Sequence, residues 1–187
     1  MGYYNFPKDL EVEKKIKKFM EDKGLDVKLL SEATNKEIIA SKWAEGNVKE
    51  YDQTITFVDN STATIEWKAD QKCLSTENLF IEYQSRGKDS GINITTATYW
   101  AEIVYSNEFR GKIRFGVWKT DDFKRFLADG LENGEVWHPK DLGGDDWKGG
   151  KAAAGWLTKE KTLFNSKYTL VDKKMDIAKF LKKAGIT

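Results

Sequence analysis

The chain has 187 residues, of which 31 are Lys or Arg and 30 are Asp or Glu, so its formal net charge is +1. This length predicts one domain with a sizeable core, and the 40% hydrophobic content is ordinary for a globular protein. The single cysteine, Cys73, excludes an intramolecular disulfide.

The cysteine content and the hydropathy pattern bear on the compartment. A lone thiol fits a reducing compartment. No apolar run approaches the length needed to cross a membrane. Residues 1–6 are short and polar, with acidic residues soon after, which is not the pattern of a signal peptide. We therefore expect a cytoplasmic protein with no membrane partner.

The first third of the chain predicts a helix, a short strand and a segment that is compatible with two structures. Residues 8–23 place apolar side chains at helical spacing, and Gly24 follows at the expected helix end. Residues 25–30 predict a short strand. Residues 31–46 are compatible with either a helical turn or a loop that approaches DNA.

The stretch 50–70 predicts an antiparallel hairpin. Residues 52–58 and 62–68 alternate and are rich in Thr, Ile, Val, Phe and Trp, which is typical of strands. Asp59, Asn60 and Ser61 are turn formers. Side chains alternate between the faces of a strand, so the hairpin has one apolar face and one polar face. The polar face carries Asp52, Thr54, Thr56, Thr64, Glu66 and Lys68.

An odd-numbered hairpin loop keeps like residues on like faces, and two registers satisfy this condition. A three-residue loop sets Asp52 opposite Lys68, whereas a five-residue loop sets Asp52 opposite Glu66. Either register gathers both carboxylates and the lysine. Two nearby carboxylates repel each other unless a cation neutralises them, and their hard oxygen ligands suit Mg²⁺ or Mn²⁺. An adjacent lysine would orient water or stabilise charge on phosphorus, so the pattern favours phosphodiester hydrolysis.

Asp52 followed by Glu66-Trp67-Lys68 resembles the D…(D/E)-x-K signature of the PD-(D/E)XK nuclease superfamily, which includes restriction endonucleases and archaeal Holliday-junction resolvases. Tyr51 stands where the signature has Pro. The resemblance implies an α/β fold with a restriction-endonuclease-like α/β/α core and a mixed central sheet. That core would span residues 8–118 of a single domain, 1–187, with residues 119–187 as a C-terminal extension.

The resemblance also implies an activity and a site. The chain would be a Mg²⁺-dependent DNA endonuclease, with Mn²⁺ as a substitute. Asp52, Glu66 and Lys68 would be catalytic, and the carbonyl of Trp67 would join the two carboxylates as a metal ligand. The partner would be DNA. A homodimer that cuts two strands, in a bacterial or phage-infected cell, fits such an enzyme.

Two further features extend the resemblance. Glu13, with Ile16 and Gly24 three and eleven residues on, matches the spacing of a resolvase-like first-helix glutamate that reaches the metal, although an ordinary helix-surface acid fits equally well. Residues 78–84 predict a strand, on which Glu82 or Gln84 would supply an auxiliary polar residue. The pattern NLFIEY…RGK-SGI…T-A-YW also resembles small phage-type nucleases of this superfamily.

Two loops carry candidate DNA contacts. Residues 85–91 hold Arg86, Lys88 and Ser90 between glycines, a composition that suits a loop gripping the DNA backbone or a plain turn. Residues 141–155 are glycine-rich, and Lys148 and Lys151 would touch DNA there or simply be solvated.

The remaining elements are predicted from caps and periodicity. Thr95 and Thr96 predict the start of a helix that runs to about Ile103. Residues 112–118 predict a strand, and residues 120–128 predict a helix with Thr120 as its N-cap and Gly130 after its end. Residues 172–184 predict a terminal helix. The lone histidine, His138, disfavours an HNH-type site and is expected on a surface loop.

Two other functions remain open. A catalytically inactive nucleic-acid-binding module on the same fold would bind DNA in a salt-sensitive way without turnover. An aromatic-rich binding protein, for instance for sugars, would be largely β with exposed tryptophans, since seven Trp are many for this length.

Overall fold

The computed structural model describes residues 14, 16–18, 20–45, 50–70, 73–85, 87–105, 112–138, 153–176 and 179. Residues 14, 16–18 and 20–23 are helical, as predicted for 8–23. The helices are α1 (Leu25–Thr34), α2 (Cys73–Thr76), α3 (Thr120–Asn133) and α4 (Glu160–Phe164), with a 3-10 turn at Gly91–Asn93. The strands are β1 (Ile38–Trp43), β2 (Gln53–Phe57), β3 (Thr62–Asp70), β4 (Asn78–Ser85), β5 (Lys88–Asp89), β6 (Tyr99–Val104), β7 (Lys112–Lys119), β8 (Val136–Trp137), β9 (Ala153–Lys159) and β10 (Val171–Asp176).

The strands form two sheets. The larger sheet has the order β1-β2-β3-β6-β7-β10 and is mixed, because β3 and β6 are parallel while every other neighbouring pair is antiparallel. The smaller sheet has the order β5-β4-β9-β8 and is antiparallel throughout. The prediction of an α/β protein with a mixed sheet is therefore confirmed.

Both faces of the larger sheet are covered. Helix residues such as Met20 and Leu29 pack with Ile65 and Ile103 on one face. On the other face, Trp100 packs with side chains of α3 and β4. Successive side chains of a strand point to opposite faces, so a central strand such as β6 supplies both cores. This burial decides the surroundings of the polar residues on β3 and β6.

Two predictions for the N-terminal third are wrong. Residues 25–30 begin helix α1, because Leu25 and Leu29 lie four residues apart on the face that packs against the sheet. Gly24, with φ 58°, precedes α1 in the left-handed conformation. Residues 38–43 are neither a helical turn nor a loop but the edge strand β1, which pairs with β2.

The predicted helix over residues 95–103 is wrong, because residues 99–104 form strand β6. This strand lies between β3 and β7 and is buried on both faces, so its sequence is nearly continuously apolar and lacks polar alternation. The predicted terminal helix, 172–184, is likewise wrong over residues 172–176. That segment belongs to strand β10, which pairs with β7.

Helix α3 confirms the prediction over residues 120–128 and corrects both of its ends. Lys119 is the N-cap, and Thr120 is the first helical residue. The helix runs through Gly130, which is buried against Val136. It stops before Gly134, whose φ is 80°. Glycine occurs here within the helix because it has no side chain: a Cβ at this position would lie 2.4 Å from Val136 Cγ2.

The segment predicted as an extension completes both sheets. Strand β9 pairs with β4, and β10 pairs with β7. Arg114 of β7 joins these parts through ion pairs with Glu160 of α4 and Asp172 of β10. The described residues after 118 therefore belong to the same packed structure as those before it.

Two further observations concern surface properties. None of the helices in the described ranges is both long and apolar enough to cross a membrane. The tryptophans that the structure describes are buried or half-buried, with Trp100 and Trp118 inside the core. Their burial argues against the aromatic-rich binding protein, although the structure has many strands.

Candidate active site

The hairpin of β2 and β3 brings the predicted residues together. Thr54 pairs with Thr64 and Thr56 with Thr62, while the Phe57 amide donates a 2.9 Å hydrogen bond to the Ser61 carbonyl. In this register the sum of the paired residue numbers is even, so the loop has an odd number of residues, as predicted. The pairing extends to Gln53 opposite Ile65, so Asp52 lies just beyond the last pair and close enough to Glu66 for its charge to affect that carboxyl.

Asp52 lies just before β2 and is held by the backbone of β3. Its carboxylate Oδ2 accepts a 2.8 Å hydrogen bond from the Trp67 amide, and its own amide donates to the Ile65 carbonyl at 2.9 Å. Because Trp67 lies between Glu66 and Lys68, these bonds hold Asp52 beside both residues. The Asp52 side chain is half-buried.

Glu66 and Lys68 form an ion pair in a mostly buried setting. The Lys68 ammonium contacts Glu66 Oε1, and the side chains are 39% and 7% exposed, respectively. Burial raises the pKa of the Glu66 carboxyl, the Lys68 charge opposes that rise, and the Asp52 charge adds to it. Two nearby carboxylates, one of them almost inaccessible, are thus gathered around one partly exposed cation.

The pKa of the Lys68 ammonium reflects the same cluster. Burial alone would lower this pKa, but the negative charge of Glu66 and the hydrogen bond to it outweigh burial. The charges of Asp52 and Glu102 act in the same direction, so the pKa of Lys68 is raised. Lys68 is therefore a cation at neutral pH rather than a base.

Glu102 is a member of this cluster that sequence reasoning missed. It lies opposite Lys68 in the parallel β3–β6 pair and is 2% exposed. Its Oε1 accepts a 2.7 Å hydrogen bond from Trp100 Nε1, and burial raises its pKa to about 8. Glu102 is the one charged residue in the otherwise largely apolar segment 99–105, which could have marked it as a candidate site residue. Because that segment was predicted to be a helix, Glu102 was not placed beside Lys68.

The auxiliary residues predicted on the strand after the lysine lie in the other sheet. β4 carries Glu82 and Gln84, whereas the strand beside β3 is β6. Glu82 accepts a 2.5 Å hydrogen bond from the Ser90 hydroxyl, and Gln84 lies opposite Asp89. Glu102 thus has the place next to Lys68 that these residues were expected to fill, and their auxiliary role stays a prediction.

The remaining predicted site residues are only partly described. Lys88 is exposed on β5, and Ser90 is half-buried next to Glu82. His138 is exposed, as expected. Other predicted site residues fall outside the described ranges: Glu13, Arg86, Lys148 and Lys151.

The donor set has the chemistry of a hard-metal site but is incomplete among the described residues. Asp52 and Glu66 supply carboxylate oxygens, and Trp67 would supply a carbonyl oxygen, which are the ligands that Mg²⁺ prefers. Burial beside Asp52 disfavours the charged form of Glu66, and a bound cation would reverse that effect. Across the described part of the chain, no group of three or more His, Cys, Asp or Glu is placed to hold a metal ion.

Comparison with known proteins leaves the family open. The sequence matches no protein-family model, and searches of curated proteins and of solved structures give no significant match.

Proposed function

We propose that this chain is a Mg²⁺-dependent deoxyribonuclease that acts as an endonuclease. The observation that supports it is that the Asp52 carboxylate bonds to the amide of Trp67, the residue between Glu66 and Lys68, while Lys68 contacts Glu66. An Asp before one strand and a Glu-x-Lys on the next is the arrangement that the sequence motif requires. The mixed sheet with both faces covered is compatible with the α/β/α core that the resemblance implies.

The metal would be held by Asp52, Glu66 and the carbonyl of Trp67, with Glu13 as a further candidate. When bound, the ion would supply positive charge to a phosphodiester oxygen and acidify a water molecule. Asp52 is already fixed by the Trp67 amide, so one ligand is preorganised before any ion binds. Preorganised ligands lower the cost of assembling a site.

Lys68 would act on the substrate as a cation. Its raised pKa keeps it protonated at neutral pH, so it would orient the attacking water and stabilise the pentavalent phosphorane rather than remove a proton. The 39% exposure of its side chain leaves it accessible from solvent, whereas Glu66 is held behind it. The resemblance implies 5′-phosphate and 3′-hydroxyl ends, which form when water attacks phosphorus and the 3′-oxygen leaves.

Contacts to DNA outside the site belong to the same proposal. Exposed Lys88, together with Arg86, Ser90, Lys148 and Lys151, would bind backbone phosphates. A homodimer would present two sites to two strands. The cytoplasm of a bacterial or phage-infected cell would be the compartment.

The alternative is a nucleic-acid-binding module without catalysis. The observation that favours it is that the described acids form no three-ligand metal group. Such a module would bind DNA with strong salt dependence and show no metal-dependent turnover.

Cleavage assays on supercoiled plasmid and on a branched oligonucleotide distinguish the nuclease from the inactive binding module. We would run both substrates with Mg²⁺, with Mn²⁺ and with EDTA, and compare the wild-type chain with Lys68→Ala. The matched control is Lys161→Ala, which removes an exposed lysine on α4. We expect metal-dependent nicking that is lost in Lys68→Ala and kept in Lys161→Ala.

Each other outcome has a defined meaning. DNA binding without cleavage in either metal would support the inactive module. Equal nicking by the wild type and by Lys68→Ala would point to a contaminating nuclease and contradict the proposed site. If the chain neither bound nor cleaved DNA, DNA would be rejected as the substrate.

A further inference from the structure

The β2–β3 hairpin has two registers that its apolar pattern does not distinguish. In the observed register Thr54 lies opposite Thr64. A two-residue slip would set Thr54 opposite Glu66 and Asp52 opposite Lys68. Because side chains alternate with a period of two, such a slip leaves every residue on its original face. Burial of Ile55 and Ile65 would satisfy both registers, so something directional must select one.

A buried polar network on the apolar face supplies direction. Gln53 is fully buried, and its Nε2 donates to Asp26 of α1 and to Ser41 of β1. The Ser41 hydroxyl also donates to Asp26, at 3.3 Å. Gln53 Oε1 accepts a 3.0 Å hydrogen bond from Trp67 Nε1. One glutamine amide therefore connects α1, β1, β2 and β3.

We propose that Gln53, held by Asp26, is a positioning residue that locks the register of the candidate active-site hairpin through Trp67. A two-residue slip moves Trp67 by roughly 7 Å along the strand, which breaks its bond to Gln53. The buried Gln53 Oε1 and the Trp67 indole N–H would then each lose this hydrogen bond, and an unmade buried hydrogen bond is costly whereas apolar contacts simply exchange neighbours. The polar network thus discriminates where the hydrophobic effect does not.

The lock acts on the site because its two ends are the immediate neighbours of the site residues. Gln53 follows Asp52, and Trp67 lies between Glu66 and Lys68. The same Trp67 donates its amide to Asp52 and its indole N–H to Gln53. Its consequence for catalysis rests on the proposed nuclease function, but the register itself is measurable without any activity.

Engineered cysteine pairs measure the register directly. Thr54→Cys with Thr64→Cys places two thiols opposite each other in the observed register. Thr54→Cys with Glu66→Cys does so only after the slip. Each pair would be oxidised and the disulfide quantified by mass spectrometry after digestion, with buried Cys73 left unchanged. In the otherwise wild-type chain we expect the first pair to cross-link and the second to give at most a tenth of that yield.

The lock is then removed in two ways. Gln53→Met keeps the side-chain length but loses both polar functions. Trp67→Phe removes only the indole N–H and keeps an aromatic ring, so it tests the same bond with less disturbance of the core. With either change we expect the disulfide yield of the slipped pair, 54 with 66, to rise at least threefold and the yield of the native pair, 54 with 64, to fall. The double variant Asp26→Asn with Gln53→Glu exchanges donor and acceptor between the two residues. It keeps an oxygen that accepts from Trp67, so it should show the cross-link yields of the wild-type register.

The outcomes separate the two proposals. An unchanged native cross-link and no slipped product in both Gln53→Met and Trp67→Phe would overturn the register lock. If Gln53→Met does not fold, Trp67→Phe decides. In a cleaving enzyme we expect Trp67→Phe to lower kcat about tenfold with DNA affinity unchanged. Absence of cleavage by the wild-type chain would reject the nuclease proposal, and the cross-links would still decide the register lock.

Discussion

Lys68 and Glu102 are direct neighbours across the parallel β3–β6 pair, although 34 positions of sequence separate them. The ring of Trp100 lies 5.7 Å from the Lys68 ammonium, and its Nε1 donates to Glu102. The cation is therefore surrounded by Glu66 on its own strand and by Trp100 and Glu102 on the next. Burying an acid at this position has a cost that depends on pH.

We expect Glu102→Gln to stabilise the protein at high pH and not at low pH. Burial raises the pKa of Glu102 from its ordinary 4.5 to about 8. The folded chain therefore keeps a proton that the unfolded chain loses between these values, so the wild-type stability falls as pH rises through that window. Glutamine carries no titrating proton and avoids this loss, which amounts to at most about 5 kcal/mol.

Urea unfolding of both proteins at pH 4.5 and at pH 8.5 checks this expectation. The free energy of unfolding of Glu102→Gln should exceed that of the wild type only at the higher pH. Glu82→Gln, at a half-buried position on β4, is the matched control and should show no such gain. A pH-independent difference for Glu102→Gln would contradict the raised pKa.

We expect Lys68→Met to destabilise the fold at neutral pH. The substitution leaves the buried Glu66 carboxylate without its ion-pair partner. Because Lys68 is partly exposed, solvent screening limits the loss to about 1–2 kcal/mol. The pKa of Glu66 is already raised by burial and would rise further, so the loss should fade near pH 4, where this carboxyl is protonated in both states. Thermal unfolding at pH 7 and at pH 4, with Lys161→Met as control, measures it; an equal loss at both pH values would show that packing, not charge, is responsible.

We expect substitution of Arg114 to lower the stability of the fold more than substitution of Lys68. Its guanidinium bonds Asp172 through two nitrogens at 2.6 Å, Glu160 through a third at 2.8 Å, and stacks 4.1 Å from the ring of Phe164. Arg114→Met would strand two partly buried carboxylates, which costs about 3–5 kcal/mol. Lys cannot reproduce the fork of donors, so Arg114→Lys should recover less than half.

The control for Arg114 is Arg125, which is exposed on α3 and, within the described part of the chain, forms an ion pair with Asp122 three residues earlier. Arg125→Met should cost less than about 0.5 kcal/mol. Urea unfolding of the four proteins gives the comparison. Similar losses at the two arginines would mean that the Arg114 network adds nothing to stability.

We expect position 91 to tolerate only glycine. Its φ is +50°, and a Cβ there would lie 2.3 Å from the carbonyl oxygen of Glu82. Gly134 has φ +80° but no atom within 4 Å of a Cβ. Gly134→Ala should therefore lose only the backbone term, about 1 kcal/mol, whereas Gly91→Ala must also displace β4 and should lose clearly more. Thermal unfolding distinguishes the two; equal losses would show that the Glu82 backbone yields freely.

The sequence was sufficient where one local pattern had one structural solution. The alternation in residues 52–68 predicted two strands, and turn formers between them predicted the hairpin, because one face must be buried. The helical stripe in residues 120–128 predicted the start of α3. In each case the side chains that define the element are close in sequence.

The same local patterns failed where burial came from distant segments. Residues 99–104 carry no alternation because β3 and β7 flank them and both faces are covered. Residues 172–176 were predicted as the start of a helix, but they pair with β7 as part of a strand. An edge strand or a central strand is defined by its neighbours, which the local sequence does not contain.

By itself, the sequence determined which residues share a face of the hairpin: Asp52, Glu66 and Lys68 on one side, Gln53 and Trp67 on the other. The period of two in a strand is sufficient for that. Only the tertiary structure decided that the Asp52 carboxylate bonds to the Trp67 amide and that Glu66 is buried. It also decided that Glu102 reaches Lys68 from a parallel strand. Register and burial depend on hydrogen bonds and contacts between segments far apart in the chain, so no local pattern encodes them.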